Sequence, residues 1–167
     1  MPSQKHSETE FVAMVQENER LIYKVCSVYA QTPEDRRDLF QEIVLQAWRG
    51  YARYTATAKI STWLYRVALN TAISHKRKQG RSVNVSGNDE LLHQLEDSAA
   101  DNYAEEYKAL YTMIAELPAF DKALVLLYLE DKSYQEIAEI LGITASNVGA
   151  KLSRIKEKMR RQATTMI

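Results

Sequence analysis

Residues 133–161, "SYQEIAEILGITASNVGAKLSRIKEKMRR", constrain the fold most tightly, because they carry helix start and stop signals at fixed spacing. Ser133 and Glu136 have the spacing of a capping box, in which the serine oxygen accepts from the backbone N–H of Glu136 and the carboxylate reaches back to that of Ser133. Gly142 follows where a left-handed residue often ends a helix. Thr144 is then a good N-cap for a second helix. The stretch predicts two helices joined by a three-residue turn.

The second helix of this pair has an apolar seam and a separate polar stripe. The seam is formed by Val148, Leu152, Ile155 and Met159. The stripe lies about 100° round the helix, and its members are Asn147, Lys151, Arg154 and Lys158. A helix, a tight glycine turn and a second helix with an exposed basic stripe are typical of a helix-turn-helix, whose second helix enters a DNA major groove.

The N-terminal residues of such a helix reach deepest into the groove, so Ser146, Asn147 and Lys151 are expected at base edges or nearby phosphates. Arg154 and Lys158 are expected at phosphates. The missing side chain of Gly149 would allow close approach of the backbone to DNA. The full predicted DNA-binding set is Thr144, Ser146, Asn147, Gly149, Lys151, Arg154 and Lys158. The alternative is an ordinary helical hairpin whose Lys and Arg face is solvated.

The charge of the whole chain is segregated, although its formal net charge is zero. Residues 59–81 hold six Lys or Arg and no acid, and residues 151–161 hold six Lys or Arg and one acid. Residues 89–107 hold seven Asp or Glu and no Lys or Arg. The zero total argues against a nucleic-acid binder, but the distribution of charge matters more than its sum. Two basic segments therefore flank an acidic one.

Apolar periodicity predicts an all-α protein, because residues spaced three and four apart recur and no alternating strand pattern persists. The predicted helices before the C-terminal pair span 8–30, 35–54, 61–78, 103–117 and 120–129. Residues 81–102 lack this periodicity and are rich in Ser, Asn and Asp. We expect two small helical domains, 1–80 and 103–167, joined by a flexible acidic linker over 81–102.

The chain has one cysteine, Cys26, so no internal disulfide is possible. The N-terminal residues contain no apolar signal core, and no apolar run approaches the roughly 18 residues of a membrane span. These features predict a protein of the reducing cytoplasm without membrane insertion.

The first half carries a more specific pattern, "DLFQEIVLQAWRGYARYTATAKISTWLYRVALNTAISHKRK". It resembles the second conserved region of bacterial RNA polymerase sigma factors, above all the small extracytoplasmic-function (ECF) group. The matching motifs are Asp38-Leu39-x-Gln41-Glu42 before Ala47-Trp48, and Thr62 to Asn70. "ELPAFDKALVLLYLEDKSYQEIAEILGIT" resembles the fourth region. Many relatives begin the recognition helix with a Thr-Val-Lys-Ser-Arg-like run, whereas this chain has Asn147-Val148-Gly149-Ala150-Lys151.

The resemblance implies that the second helix docks on the clamp helices of the largest polymerase subunit, and that the fourth region docks on the polymerase flap. The residues expected at the clamp helices are Asp35, Asp38, Leu39, Gln41, Glu42 and Trp48. Asp35, Asp38 and Glu42 are spaced three and four apart, so they share one helix face and can pair with basic residues of a partner. Three clustered carboxylates could also bind a metal ion, but no His or Cys accompanies them.

By the same resemblance, the third helix and the loop before it melt and hold the −10 promoter element. The residues expected there are Tyr54, Lys59, Thr62, Trp63, Arg66, Asn70, Lys76, Arg77 and Lys78. The basic side chains offer phosphate contacts, Tyr54 and Trp63 (with Tyr65) offer stacking surfaces, and Asn70 and Thr62 offer edge-reading groups. Trp63 fits a core position equally well by its spacing with Val67.

The predicted function is that of an ECF-type sigma factor: it binds core RNA polymerase and directs promoter recognition, DNA melting and transcription initiation. It needs no cofactor and no covalent chemistry, and an anti-sigma factor is an expected partner. One alternative is a helix-turn-helix regulator that binds operators as a dimer without polymerase. A further alternative is an enzyme of nucleic-acid chemistry, although no Gly-rich phosphate loop or metal-spaced cluster supports it.

Overall fold

Helices are the only regular secondary structure in residues 8–79 and 104–165, the part of the chain that the computed structural model describes. They are α1 (Glu8–Glu17), α2 (Glu19–Tyr29), α3 (Pro33–Tyr51), α4 (Ile60–Gln79), α5 (Ala104–Ala115), α6 (Ala119–Leu129), α7 (Tyr134–Leu141) and α8 (Ala145–Thr165). The predicted all-α class is confirmed. No helix within the described ranges is long and apolar enough to cross a membrane.

The chain divides into two compact units, Met1–Arg81 and Ser82–Ile167. The first contains α1 to α4 and the second contains α5 to α8. The predicted linker, residues 81–102, lies outside the described residues. The predicted domain boundaries therefore stay predictions.

The core of the first unit lies between α2, α3 and α4, and α1 packs on α2 and α3. Its most deeply buried side chains include Ile22, Val25, Ile43, Leu64 and Leu69. The sequence predicted one helix over 8–30, whereas the structure has a break at Asn18 between α1 and α2. The Asn18 side chain donates to the Met14 carbonyl at 2.9 Å. Such side-chain bonds compete with helix continuation, which accounts for the break.

The start of α3 is fixed by a cap and by a buried arginine. Thr32 Oγ1 accepts from the backbone N–H of Asp35 at 3.1 Å, and Pro33 occupies the first helical position, where its missing N–H costs nothing. Arg36 is buried, and its Nε donates to the Ala30 carbonyl at 3.1 Å. These bonds hold the first turn of α3, including Asp35, against the end of α2.

The second unit is built around α6, which packs against α5, α7 and α8. The described core includes Ile114, Leu124, Leu127, Ile137, Ile140, Val148, Leu152 and Ile155. The predicted seam of the last helix is confirmed, since Val148, Leu152 and Ile155 are buried and Met159 is half-buried. The helix-turn-helix is therefore α7 and α8 packed on α6.

Cys26 is buried in the first unit, and burial raises the pKa of its thiol from the ordinary value of 9.0 to about 12. The thiolate is the reactive form, so alkylation of Cys26 in the folded chain at pH 8 should be slower than that of an exposed cysteine by on the order of a thousandfold. Mass spectrometry of the native chain with iodoacetamide measures this rate. Urea should restore ordinary reactivity. Native labelling as fast as that of a free thiol would contradict the burial.

The raised pKa also fixes the sign of a pH effect on stability. Between pH 9.0 and about 12, the unfolded thiol loses its proton while the folded one keeps it. The folded state then binds more protons, so the free energy of unfolding falls as pH rises through this range.

Candidate nucleic-acid and protein interfaces

The structure confirms both predicted N-caps and the left-handed glycine of the helix-turn-helix, but the Glu136 carboxylate accepts from the Ser133 hydroxyl rather than from the predicted Ser133 backbone N–H. The backbone N–H of Glu136 donates to Ser133 Oγ at 3.1 Å, and the Ser133 hydroxyl donates to the Glu136 carboxylate at 3.2 Å. Gly142 has a left-handed φ of 72°. Thr144 Oγ1 accepts from the backbone N–H of Asn147 at 3.1 Å, which caps α8. These local bonds fix where α8 begins, and Thr144 is thus engaged as a cap.

The predicted basic stripe of α8 is exposed at three of its four positions, Asn147, Arg154 and Lys158. The fourth, Lys151, is half-buried, and its Nζ lies 5.6 Å from the centroid of the Phe120 ring on α6. That distance is within the range of a cation–π contact. The charge of Lys151 is therefore held beside α6 rather than projecting freely.

The most outward face of α8 includes the predicted Ser146 and three residues that were not predicted, Ala150, Ser153 and Glu157. Opposite the buried seam lie the exposed side chains of Ser146, Ala150, Ser153 and Glu157. Glu157 Oε1 lies 3.5 Å from Arg161 Nη2, and Glu157 Oε2 lies 3.8 Å from Arg160 Nη1. Their position about 180° from the seam could have identified them from the sequence. The outward face thus offers small side chains in its first turns and a partly neutralised charge cluster near its end.

Gly149 lies on a different flank of α8 from Asn147 and Lys151, although it is only about 60° round the helix from Ser146. Two residues along a helix correspond to about 200°, so Gly149 lies about 160° round α8 from both Asn147 and Lys151. A Cβ atom at Gly149 would be 3.4 Å from Cε2 of Tyr134 on α7. The Tyr134 ring therefore lies against this flank of α8, and the expected close approach of the Gly149 backbone to DNA stays a prediction.

The outward face of α3 in the first unit presents Asp38, Gln41 and Trp48, which are exposed, with the half-buried Asp35 and Glu42 beside them. The sixth residue predicted here requires a correction. Leu39 is 1% exposed and belongs to the core, one helical turn before the buried Ile43. Its side chain cannot touch a partner of the folded unit.

Two large apolar side chains extend the α3 face. Trp48 is 44% exposed and Leu45 is 41% exposed. The Phe11 ring of α1 meets Trp48 edge-on, with centroids 5.0 Å apart, and thus supports the indole from one side. Leu45 was not among the residues predicted for this surface. The signal was present, because Leu45 is an apolar residue about 160° round the helix from Ile43 in the buried stripe.

The exposed face of α4 combines an aromatic, a basic and an amide side chain. Trp63, Arg66 and Asn70 are spaced three and four apart, so they share one face; Arg66 and Asn70 are exposed, while Trp63 is half-buried. The Trp63 ring lies 5.3 Å from that of Tyr54. Trp63 is thus partly packed and partly accessible, which is consistent with both of its predicted roles, a core position and a stacking surface.

The remaining residues predicted for the −10 element divide into three groups. Lys59 is exposed, and the Tyr54 hydroxyl donates to the Ala58 carbonyl, which closes the loop before α4. Thr62 and Tyr65 are buried, because both lie on the face of α4 that packs against the core. Neither side chain can contact a base directly in this structure. Lys76, Arg77 and Lys78 lie in the last turns of α4, and their side chains lie outside the described part of the structure.

A polar groove lies between α3 and α4 and connects the exposed face of α3 with that of α4. Its lining is Glu42, Gln46, Asn70, Thr71, Ser74 and His75. Gln46 Nε2 donates to Glu42 Oε1 at 3.0 Å, which orients this carboxylate. Across the described ranges, no group of three or more His, Cys, Asp or Glu side chains is placed to hold a metal ion.

Comparison with known proteins decides the family. Residues 14–82 match the profile of Sigma-70 region 2, and residues 107–159 match that of Sigma-70 region 4. The chain is 32% identical to the ECF RNA polymerase sigma factor SigM of Bacillus subtilis (strain 168), over 74% of this chain and 76% of that protein. This chain belongs to the ECF sigma factors. The resemblance seen in the sequence is confirmed.

Two further proteins are similar to this sigma factor along nearly its whole length. This chain is 27% identical to the RNA polymerase sigma factor SigV of Bacillus subtilis (strain 168), over 98% of this chain and 97% of that protein. Its fold matches that of the sigma factor RpoE from Bartonella quintana, solved in complex with the anti-sigma factor NepR. The TM-score is 0.70 at 16% identity, covering 93% of this chain and 98% of that one.

The matched residues also show which helices belong to each sigma region. The region 2 match includes all of α2, α3 and the described α4, and the region 4 match includes α6, α7 and most of α8. A dimeric operator-binding regulator accounts for the helix-turn-helix but not for region 2. The sigma-factor prediction is therefore favoured over that alternative.

Proposed function

We propose that this sigma factor docks on core RNA polymerase through the outward face of α3 and holds two promoter elements with α4 and α8. The observation that carries the proposal is the contrast between these helices. The α3 face combines carboxylates with exposed Leu45 and Trp48, whereas α4 and α8 present basic, amide and aromatic groups. Carboxylates repel DNA phosphates, so the α3 face suits a protein partner.

The polymerase contact is proposed for Trp48 and Leu45 at the centre, with Asp38 and Gln41 beside them. Large aromatic side chains dominate the binding free energy of many protein interfaces when surrounding contacts exclude water. Asp35, Asp38 and Glu42 add charge complementarity toward a basic partner, which mainly raises the rate of association. The expected partner is the pair of clamp helices in the largest polymerase subunit.

The −10 contact is proposed for the exposed face of α4. The Trp63 and Tyr54 rings supply a surface on which an unpaired base can stack, and the Asn70 amide can donate to and accept from a base edge. Lys59 and Arg66 supply phosphate contacts. Lys76, Arg77 and Lys78 join this set on charge alone. Melting is thus driven by binding free energy, with no covalent step and no cofactor.

The −35 contact is proposed for the first turns of α8, with Ser146 and Asn147 at the groove and Arg154 and Lys158 at phosphates. The protein acts where the polymerase acts, in the cytoplasm. The RpoE structure contains an anti-sigma factor. We expect a protein of that kind to regulate this one as well.

The phosphate contacts can be tested through the salt dependence of DNA binding. Arg154→Ala and Lys158→Ala should each weaken holoenzyme binding to DNA carrying a −35 element uniformly across sequences. Each should also reduce the slope of log K against log salt by about 0.9, because one phosphate contact is lost. Fluorescence anisotropy between 50 and 200 mM salt, the range over which such slopes are read, measures this.

A control for these variants is available in the same helix. Arg160 is also exposed but lies near the C-terminal end of α8, in an ion pair with Glu157. Arg160→Ala should leave the slope within error of that of the parent protein. An equal loss of slope in Arg160→Ala, or no loss in Arg154→Ala, would contradict the proposed phosphate contacts.

A further inference from the structure

The contact between Tyr134 and Gly149 joins the two helices of the helix-turn-helix on one flank. Tyr134 is the first residue of α7, and its ring crosses to α8 while remaining 41% exposed. A Cβ atom at Gly149 would lie 3.4 Å from Tyr134 Cε2 and 3.7 Å from Cδ2. An alanine methyl would therefore make ordinary van der Waals contact with the ring, whereas a longer side chain that extends toward Tyr134 would displace it.

A second aromatic ring holds the opposite flank of α8. Lys151 lies about 160° round the helix from Gly149, and its Nζ is 5.6 Å from the Phe120 centroid. Rings from α7 and α6 therefore contact opposite flanks of α8 within its first two turns. The buried seam of Val148, Leu152 and Ile155 sets the approximate rotation of α8 about its own axis, and these two flanking contacts adjust it.

The rotation of α8 decides which residues face outward. In the observed rotation, the outward side chains of the first turns are Ser146, Ala150 and Ser153. One residue corresponds to about 100° around the helix axis. A rotation of α8 by 30–50° would therefore move the residues at the centre of the outward face to its edge. A change at the Tyr134 contact can thus alter base reading without touching a base.

We propose that the packing of Tyr134 against a small residue at position 149 positions α8 for −35 recognition: a residue no larger than alanine lets the Tyr134 ring lie there, and the ring then sets the rotation of α8 and hence which side chains meet the bases. The proposal rests on the proposed −35 function of α8. It assigns an indirect role to the position at which this chain departs from the common run of its relatives.

The test is a double-mutant cycle with a matched small substitution. Holoenzymes carrying Gly149→Ala, Gly149→Leu, Tyr134→Ala or Gly149→Leu with Tyr134→Ala select −35 sequences from a randomised library with a fixed −10 element. Thermal unfolding of each full-length variant is recorded in parallel. Gly149→Ala should keep the parent preference. Gly149→Leu should bind the parent −35 element about tenfold more weakly and shift its preference, because leucine overpacks the contact.

Removal of the ring should then rescue the leucine variant. Gly149→Leu with Tyr134→Ala should recover at least about threefold of the lost affinity, because the truncated side chain leaves space for leucine. A direct clash between leucine and DNA would not be relieved by a change on α7. Equal impairment of the single and double variants therefore overturns the proposal, as does an unchanged preference in Gly149→Leu.

The remaining outcomes are also decisive. If Gly149→Leu does not fold, Tyr134→Ala alone carries the test, and it should shift the −35 preference while Gly149→Ala does not. An unshifted preference in Tyr134→Ala would overturn the proposal in that case. If the parent holoenzyme shows no −35 preference at all, the proposed −35 function of α8 fails first. That result differs from one in which the parent holoenzyme has a −35 preference that Tyr134→Ala leaves unchanged.

Discussion

Leu39→Ala is expected to lower the free energy of unfolding of the first unit by about 2–5 kcal/mol, because it leaves a cavity in a packed core. The Leu39 side chain is 1% exposed, and Ile22 and Ile43 of the same core are 0% exposed. Urea unfolding of the full-length chain, followed by far-ultraviolet circular dichroism, measures the change. Polymerase affinity should fall only as far as the unfolded population requires.

Gln41→Ala is the matched control for this experiment, since Gln41 is exposed on the same helix two residues away. It should change the free energy of unfolding by less than about 0.5 kcal/mol, as is usual for surface positions. Any effect on polymerase binding would then reflect the interface itself. A Leu39→Ala variant that keeps full stability but loses polymerase binding would contradict the core position of Leu39.

Trp48→Ala is expected to weaken binding to core RNA polymerase by about 30-fold or more, which corresponds to about 2 kcal/mol. The reason is that Trp48 is 44% exposed on the proposed docking face, beside Leu45, which is 41% exposed. A partner that covers both side chains removes a large apolar area from water. Equilibrium titration of labelled sigma factor with core polymerase measures the loss.

Tyr23 provides a control of comparable exposure. It is 47% exposed on α2, and its ring stacks on Phe40 with centroids 4.9 Å apart, whereas Phe11 meets Trp48 edge-on at 5.0 Å. Tyr23→Ala therefore removes an aromatic ring of comparable exposure from a different helix. Polymerase affinity should stay within about threefold of the parent value, since this ring lies outside the proposed contact. Equal losses in both variants would show that the α3 face is not the specific contact.

Features that depend on nearby residues could be predicted from the sequence. The caps at Ser133 and Thr144 and the left-handed Gly142 were predicted correctly, because each bond joins residues three or four apart. The apolar seam of α8 was predicted for the same reason, since its spacing of three and four is written into the chain. Local chemistry of this kind does not depend on which helices pack together.

Features that depend on tertiary packing could not be predicted in the same way. The contact of Gly149 with Tyr134 joins residues of different helices, so the sequence showed a missing side chain without showing what occupies its place. Thr62 matched the expected motif by residue type, yet it points into the core. Motif residues can be kept for packing as well as for contact, and only the packed structure separates the two.

Footprinting of promoter DNA with and without core polymerase tests whether this protein is a promoter-specificity subunit. The DNA is a promoter selected by the reconstituted holoenzyme, and single-stranded bases are detected with permanganate. We expect protection of both the −35 and −10 elements, and opening of the −10 element, only when this protein and core polymerase are present together. Tight protection of a palindromic operator by the protein alone, with no polymerase-dependent opening, would contradict this expectation.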